Sequence, residues 1–335
     1  MGGKGKPVEQ SNDVNHLFFS KNNFDDFDQL ISSFPVSSAK MEKLDSLPFY
    51  GELSIISTSD FSISKSHVSS QLKYTITAAG DSITFSLSTN ELAVPIRVEG
   101  VQLTNQSLTI FTPGYKVNGV TFPGSSLYDI RISPSFVRKT YDQLKTVDSK
   151  LCLEINSLDS FSVEISTADM NDIRSDIETI FNKMGTPHFN DLPQHTINKL
   201  KETITEKLIY QLYKESPHRR PLCSGARHGV IQKTIDFLER YEDFPISIPA
   251  ICKEIGTSER TLRYAFTDFF SVSPKQYLQA FRLNEVRRTL NQTYLPGTKV
   301  IDIANRWGFS HMGKFSVDYK KLFGESPSET LRKSG

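Results

Sequence analysis

Two short stretches share their punctuation. "FSVSPKQYL" at Phe270–Leu278 and "FGESPSETL" at Phe323–Leu331 repeat Phe, Ser, Pro and Leu at an offset of 53 residues. The duplication extends upstream, where "IPAICKEIGTSERTLRYAFTDFFSVSP" sets against "VIDIANRWGFSHMGKFSVDYKKLFGESP". Ile251 and Ile303, like Gly256 and Gly308, are 52 residues apart, whereas Leu262 and Phe315, Phe266 and Tyr319, and Phe270 and Phe323 are 53 apart. The second copy therefore carries one extra residue in its turn. Each copy reads as a helix–turn–helix. Gly256 and Gly308 can take the left-handed conformation that ends a helix. Ser258 can cap the next helix, with Ser310 or His311 serving the second copy. Cys252 and Ala304 match, both small enough for a close approach of paired helices. The Ser-Pro pairs at 273–274 and 326–327 restart the chain as a helix, with Ser as N-cap and Pro at the first position. A solenoid needs at least three copies, and only two exist. A helical bundle with no ligand stays open on periodicity alone.

At 335 residues, 37% hydrophobic and 23% charged, the chain has room for two soluble domains. No apolar run approaches the ~18 residues of a membrane span. The start, "MGGKGKPVEQSND", is expected to be a disordered tail over 1–13, without a signal-peptide core. Its "GGKGK" lacks the spacing of a phosphate loop. The three cysteines, Cys152, Cys223 and Cys252, are scattered and odd in number, which suits a reducing cytoplasm. The net charge of +1 hides an asymmetry: residues 226–335 hold 17 Lys+Arg against 12 Asp+Glu, so the balance there is +5 and elsewhere −4. The basic half is the candidate for a polyanion.

From about Leu53 to Ile132 the chain is a series of short β-branched or aromatic runs, among them "FSISKSHV", "LKYTITAAG", "SITFSL" and "LYDIRIS". Gly, Pro, Asn and Ser punctuate them at the spacing of a sandwich or barrel. "LCLEI" at 151–155 reads as one more strand, with Cys152 in its core pattern. Helical spacing follows over about 168–184, with Met170, Ile173, Ile177 and Ile180, and again over 194–214. There Ile197, Leu200, Ile204, Leu208 and Leu212 form one stripe, which must be buried against the β domain or against a second subunit. "ESPHRRPLCSGA" reads as a linker, giving a domain over 14–215, a linker over 216–226 and a helical domain over 227–335. Few contacts are expected to cross it, so the halves should fold separately. The helix–turn–helix units lie at about 247–270 and 298–323.

Through "IDIANRWGF", "SVDYKKLFGESPSETLR" and "VSPKQYLQAFRL", the last 108 residues or so resemble the DNA-binding domain of the AraC/XylS family. The resemblance implies seven helices, two helix–turn–helix units and a long helix between them, at about Pro274 to Asn291. Two recognition helices held by such a connector can enter successive major grooves. The resemblance also implies double-stranded DNA, a homodimer, RNA polymerase and a small-molecule effector as partners, and the role of an activator. The β-rich half is similar, more weakly, to the cupin-type sensing and dimerisation domain of these regulators. The expected fold class is thus α+β, a cupin-like N-terminal domain with trailing helices before an all-α C-terminal domain.

Glu259, Arg260 and Arg263 are the base-reading candidates of the first unit, and His311, Met312 and Lys314 of the second. Arg260 could instead clamp a phosphate, and Arg263 could pair with Glu259. Lys320 and Lys321 are phosphate candidates or solvated charge. Where family members often carry Arg two residues after the core Leu or Phe, this chain has Tyr264 and Val317. The α-helical stripe of 194–214 is the dimerisation candidate, on the family's habit of pairing there. Phe85, Phe111, Tyr115, Phe122 and Tyr128 could line an effector pocket, though aromatics at such spacing also build cores. His67 is the only histidine between Leu53 and Ile155, which argues against a metal-dependent cupin enzyme. No metal, cofactor or catalytic constellation is expected. An architectural DNA-binding protein, or an enzyme fused to a DNA-binding domain, are the alternatives.

Overall fold

The computed structural model describes residues 18–89, 96–153, 159–184, 194–222, 226–241, 245–292 and 299–334. The expected tail at 1–13 and Cys223 lie outside these.

Antiparallel ladders build two sheets in the N-terminal half. The larger runs β1 (Phe18–Phe24), β3 (Gly51–Ser57), β4 (Phe61–Val68), β11 (Ser125–Ile132), β6 (Ile83–Ser88), β9 (Ser107–Phe111), β12 (Phe161–Glu164) and β13 (Arg220–Pro221) in spatial order. The smaller runs β2 (Ser38–Lys43), β5 (Leu72–Thr77), β10 (Lys116–Thr121), β7 (Arg97–Val98) and β8 (Val101–Gln102). Side chains alternate along a strand, so each strand of the larger sheet serves two faces. Phe61 and Ile63 of β4, Ile83, Phe85 and Leu87 of β6, and Tyr128, Ile130 and Ile132 of β11 share one apolar cluster. Helices α3 (Thr167–Met184) and α4 (Gln194–Lys214) cover that face with Met170, Ile173, Ile177, Ile180, Ile204, Leu208 and Leu212. The intervening positions, Ser64, Ser66, Thr84, Ser86 and Asp129, face the smaller sheet across a cavity.

This cover corrects the expected use of the α4 stripe. Ile197, Ile204, Leu208 and Leu212 are buried within the protomer, and Leu200 packs partly buried on the same core. An apolar sheet face of this size must itself be covered, and the stripe is consumed in doing so. Ile197, Ile204, Leu208 and Leu212 are thus unavailable to a second subunit, and Leu200 keeps only part of its surface. Two helices had no counterpart in the sequence pattern: α1 (Phe27–Ser32), capped by Asp26, and α2 (Pro134–Val147), capped by Ser133. Leu151–Leu153 form no strand, and Cys152 is exposed, while the rest of "LCLEI" lies outside the described residues.

In the C-terminal half the elements among the described residues are all helices: α5 (Ala226–Arg240), α6 (Ile248–Ile255), α7 (Glu259–Phe270), α8 (Pro274–Gln292), α9 (Val300–Arg306), α10 (Met312–Phe323) and α11 (Pro327–Ser334). Both turn glycines are left-handed, Gly256 at φ 68° and Gly308 at φ 76°. The Ser-Pro pairs are reciprocal caps. Ser273 N–H donates to Gln276 Oε1 (2.9 Å), and Gln276 N–H to Ser273 Oγ (3.3 Å). Ser326 N–H donates to Glu329 Oε2 (2.6 Å), and Glu329 N–H to Ser326 Oγ (3.3 Å). Gln276 and Glu329 are themselves 53 residues apart, so the repeat duplicates a whole capping box.

Gly308 is held by more than its φ. A Cβ there would lie 2.7 Å from the backbone nitrogen of Pro245, in the segment before α6. Gly308→Ala is therefore expected to lose more than about 1 kcal/mol in urea unfolding. Gly256→Ala meets no neighbour within 4 Å and should lose less; equal losses would show that the Pro245 contact is irrelevant.

Candidate nucleic-acid interface

Ser258 caps α7 by accepting from the Thr261 N–H at 3.1 Å. Leu262, Ala265, Phe266, Phe269 and Phe270 then turn inward, and the helical period leaves Glu259, Arg260 and Arg263 exposed. The Arg260 and Arg263 guanidiniums stand 5.4 Å and 5.8 Å from the centre of the Tyr264 ring. In the second unit, His311 occupies the N-cap position of α10 without a side-chain cap bond. Phe315, Tyr319 and Leu322 are buried, while His311, Lys314, Lys320 and Lys321 are exposed and Met312 is half-buried. All eight candidates thus lie on or at the start of the two recognition helices, and Met312 alone leans toward the core.

The connector α8 spans 19 residues, about 28 Å at ~1.5 Å per residue. Ten of its residues are buried, because both helical units and the N-terminal domain pack around it. Strand β2 lies against it. The Asn284 amide accepts from the Lys43 N–H and donates to the Lys43 carbonyl, both at 2.9 Å. An edge strand is thereby satisfied by a helix side chain as a neighbouring strand would satisfy it. Glu42 is fully buried, with Lys73 at 3.2 Å and Lys40 at 3.3 Å, and the Tyr277 hydroxyl donates to it at 3.3 Å. Burial pushes the Glu42 carboxyl up, but the Lys73 and Lys40 ammoniums, with Arg288, outweigh it and hold it below its ordinary value. Lys40 also reaches Glu285 of α8 at 3.0 Å.

Further along α8, Arg287 is buried and meets Asp28 at 3.2 Å, as well as Asp26 and Glu325. Its guanidinium lies near the rings of both Phe27 and Phe323. Elsewhere Arg97 donates to the Phe269 carbonyl at 3.3 Å, and His228 of α5 sits 3.1 Å from Glu99. These contacts overturn the expectation that little would cross between the halves. Residues 216–221 are themselves tied down: Ser216–His218 form a 3-10 turn, and β13 pairs Arg220 with Ser162 and Pro221 with Phe161 of β12.

The cavity between the sheets holds about 100 Å³. Its walls mix Met41, Val68, Tyr74, Phe111, Val117 and Leu127 with hydroxyls and one carboxyl, Asp129. Burial pushes that carboxyl up, with a Ser86 hydrogen bond and Arg131 pulling the other way. Of the aromatic pocket candidates, only Phe111 lines this cavity. Phe85 and Tyr128 fall on the opposite face of their strands, in the core under α3 and α4. Phe122 packs into the core of the C-terminal domain, and Tyr115 stacks beside Phe111 at 6.1 Å. The hydroxyl wall is hard to foresee because alternating serines usually mark a wet face. Its signal is present in "FSIS" and "ITFSLS", on strands that are both bonded to β11.

A family profile described as a helix-turn-helix domain matches residues 251–333. The probable thc operon regulatory protein of Rhodococcus erythropolis is 34% identical over 104 residues, 31% of each chain. Residues 251–333 thus carry a helix-turn-helix domain of AraC type. A XylDLEGF operon transcriptional activator of Pseudomonas putida is 31% identical over 101 residues, 30% of this chain and 32% of that one. The chain spans about a third of the length of these curated relatives. Among solved structures, the AraC-like transcriptional activator CuxR is 15% identical, covers 87% of this chain and 100% of its own, and has a TM-score of 0.44. The profile match at 251–333 spans both copies of the repeat from Ile251 on, α8 between them and nearly all of α11. No described helix is long and apolar enough to cross a membrane.

Proposed function

We propose that the protein is a sequence-specific, double-stranded-DNA-binding transcriptional regulator, acting as an activator in the cytoplasm, rather than an enzyme. One observation carries the reading: two helix–turn–helix units share one connector, and each turns a cationic recognition face to solvent. Arg260 and Arg263 serve the first unit, and Lys314, Lys320 and Lys321 the second. Arg260 reads a base, whereas Lys320 and Lys321 hold phosphates. Arg260→Ala is then expected to cost about 1–3 kcal/mol at the cognate site and to relax preference at one base pair. Equal loss on all sequences would reassign Arg260 to the backbone. Replacing Lys320 and Lys321 together should weaken cognate and random DNA alike. The slope of log K against log salt should flatten by about one unit for each phosphate no longer neutralised. An unchanged slope would leave both lysines in solvent. The same salt-controlled comparison separates a regulator from an architectural protein, which would show no cognate advantage.

The N-terminal domain is proposed to bind a small effector in the cavity between its sheets. Strand β2 supports this, because Met41 lines the cavity while its neighbours Glu42 and Lys43 hold α8. An effector that favours one placement of Met41 would bias how the two readers are presented, provided its affinity differs between the two arrangements. RNA polymerase and a second copy of the chain remain proposed partners, with the dimer surface lying elsewhere than the α4 stripe.

A further inference from the structure

Exposed apolar side chains are ordinary when they occur singly. Eight large ones are exposed among the described residues, and three of these, Tyr264, Ile301 and Val317, lie in the C-terminal domain. Ile301 belongs to α9, and the repeat puts Pro249 in its place. The other two are not independent. Tyr264 and Val317 are 53 residues apart, the same register that equates Leu262 with Phe315 and Phe266 with Tyr319. The fold has thus placed an apolar side chain at one position of both recognition helices, 46% exposed in the first and 66% in the second.

Their direction follows from the helix period. Each comes two residues after a core anchor, Leu262 at 0% and Phe315 at 2% exposure. Two residues turn about 200° around a helix, so each points away from the core. Arg260 and Tyr264 lie four residues apart on one stripe, with the two flanking guanidiniums near the ring. In the second unit the counterpart of Arg260 is Gly313. Val317 therefore stands there with no long side chain at that stripe position to cover it. Burying either residue within the protomer would need the core face, which is already filled.

The major groove offers one apolar feature, the 5-methyl group of thymine. We propose that Tyr264 and Val317 each read a thymine methyl, in successive major grooves, an inference that rests on the DNA-binding function proposed above. The cognate site should then carry a thymine at a corresponding place in each half, about one helical turn apart. Arg260 and Arg263 add hydrogen-bonded readout beside the first thymine. The second half-site, with Gly313 in place of an arginine, depends more on its methyl contact.

The test uses the full chain and a random-sequence duplex library, selected at fixed salt. Thymines of the enriched site are then replaced one at a time by deoxyuridine, which removes the methyl and keeps the hydrogen-bonding edge. One thymine in each half should show about a four-fold loss of affinity, the worth of a buried methyl-sized group. Val317→Ala should abolish the deoxyuridine response in its own half-site only, and Tyr264→Ser in the other. Both residues are exposed, so neither variant threatens the fold. If an enriched site binds equally well with deoxyuridine throughout, the methyl contact is wrong while DNA binding stands. Those side chains would then serve a protein partner. If no sequence is enriched, this inference and the sequence-specific function fail together, and the architectural reading stands instead.

Discussion

Glu42→Leu is expected to cost about 3–5 kcal/mol of unfolding free energy, the penalty for stranding a buried charge. Lys73 is only 2% exposed and lies 3.2 Å from Glu42. With the carboxylate gone, its ammonium has to remain charged without that partner or give up its proton. Tyr277 loses its buried acceptor in the same substitution, whereas Lys40 keeps Glu285 and Glu239. The double variant Glu42→Leu/Lys73→Met should recover most of the loss, since replacing both members of a buried pair by apolar groups is often neutral. Guanidinium unfolding of the two singles and the double gives the coupling directly. A double variant as unstable as Glu42→Leu would mean that the packing of β2 on α8, and not the charge, is what the substitution breaks.

The same carboxyl sets a pH dependence. Its folded pKa is depressed below the ordinary 4.5, so its contribution is fully present above the unfolded value. It is lost as the pH falls from about 4.5 through the lower folded value. The acid limb of stability should therefore be shallower in the double variant than in the natural chain.

The C-terminal half was legible because each of its constraints is local. A left-handed Gly308, a Ser-Pro start and an apolar residue every third or fourth position are written within a few residues of each other. Their duplication at offsets of 52 and 53 residues marked out two matching units, and the ends of α7 and α10 and the span of α8 followed. The N-terminal half hides its logic in pairings that the sequence does not state. β11 lies between β4 and β6 although about 57 residues separate it from the first. The Ser64–Ser66 and Thr84–Ser86 hydroxyls become a cavity wall only once those three strands are side by side. The α4 stripe failed differently: its period was read correctly, but periodicity shows that a face is covered and not by what. The contacts on α8 were invisible for a related reason. Arg287 is one more arginine in "RLNEVRRTL" until Asp26, Asp28 and Glu325 are folded around it.

Arg287→Met should lower stability by about 3 kcal/mol, the lower end of the range for breaking a buried charge cluster. Arg287 itself is 6% exposed and Glu325 14%, but Asp28 is 43% exposed, so water can take over part of the arginine's role. The larger consequence concerns cooperativity. Asp26 and Asp28 belong to the N-terminal domain at the start of α1, Glu325 precedes α11, and one guanidinium on α8 joins all three. Methionine keeps an apolar stem beside Phe27 and Phe323 but joins nothing. Arg287→Lys should rescue little, because one ammonium cannot present the planar fork that meets three carboxylates from different elements. Trp307 is the only tryptophan in the chain, and it packs on Phe281 of α8 at 6.3 Å, so its fluorescence reports the C-terminal domain alone. Far-ultraviolet circular dichroism reports both halves. In the natural chain the two transitions should coincide. In Arg287→Met the C-terminal transition should separate from the total, because less interaction energy then ties the two domains into one unfolding unit. Coincident curves with an unchanged midpoint would show that Arg287 joins nothing of consequence. The proposed route from the cavity to the two DNA readers would then have to run through Glu42 and Asn284 alone.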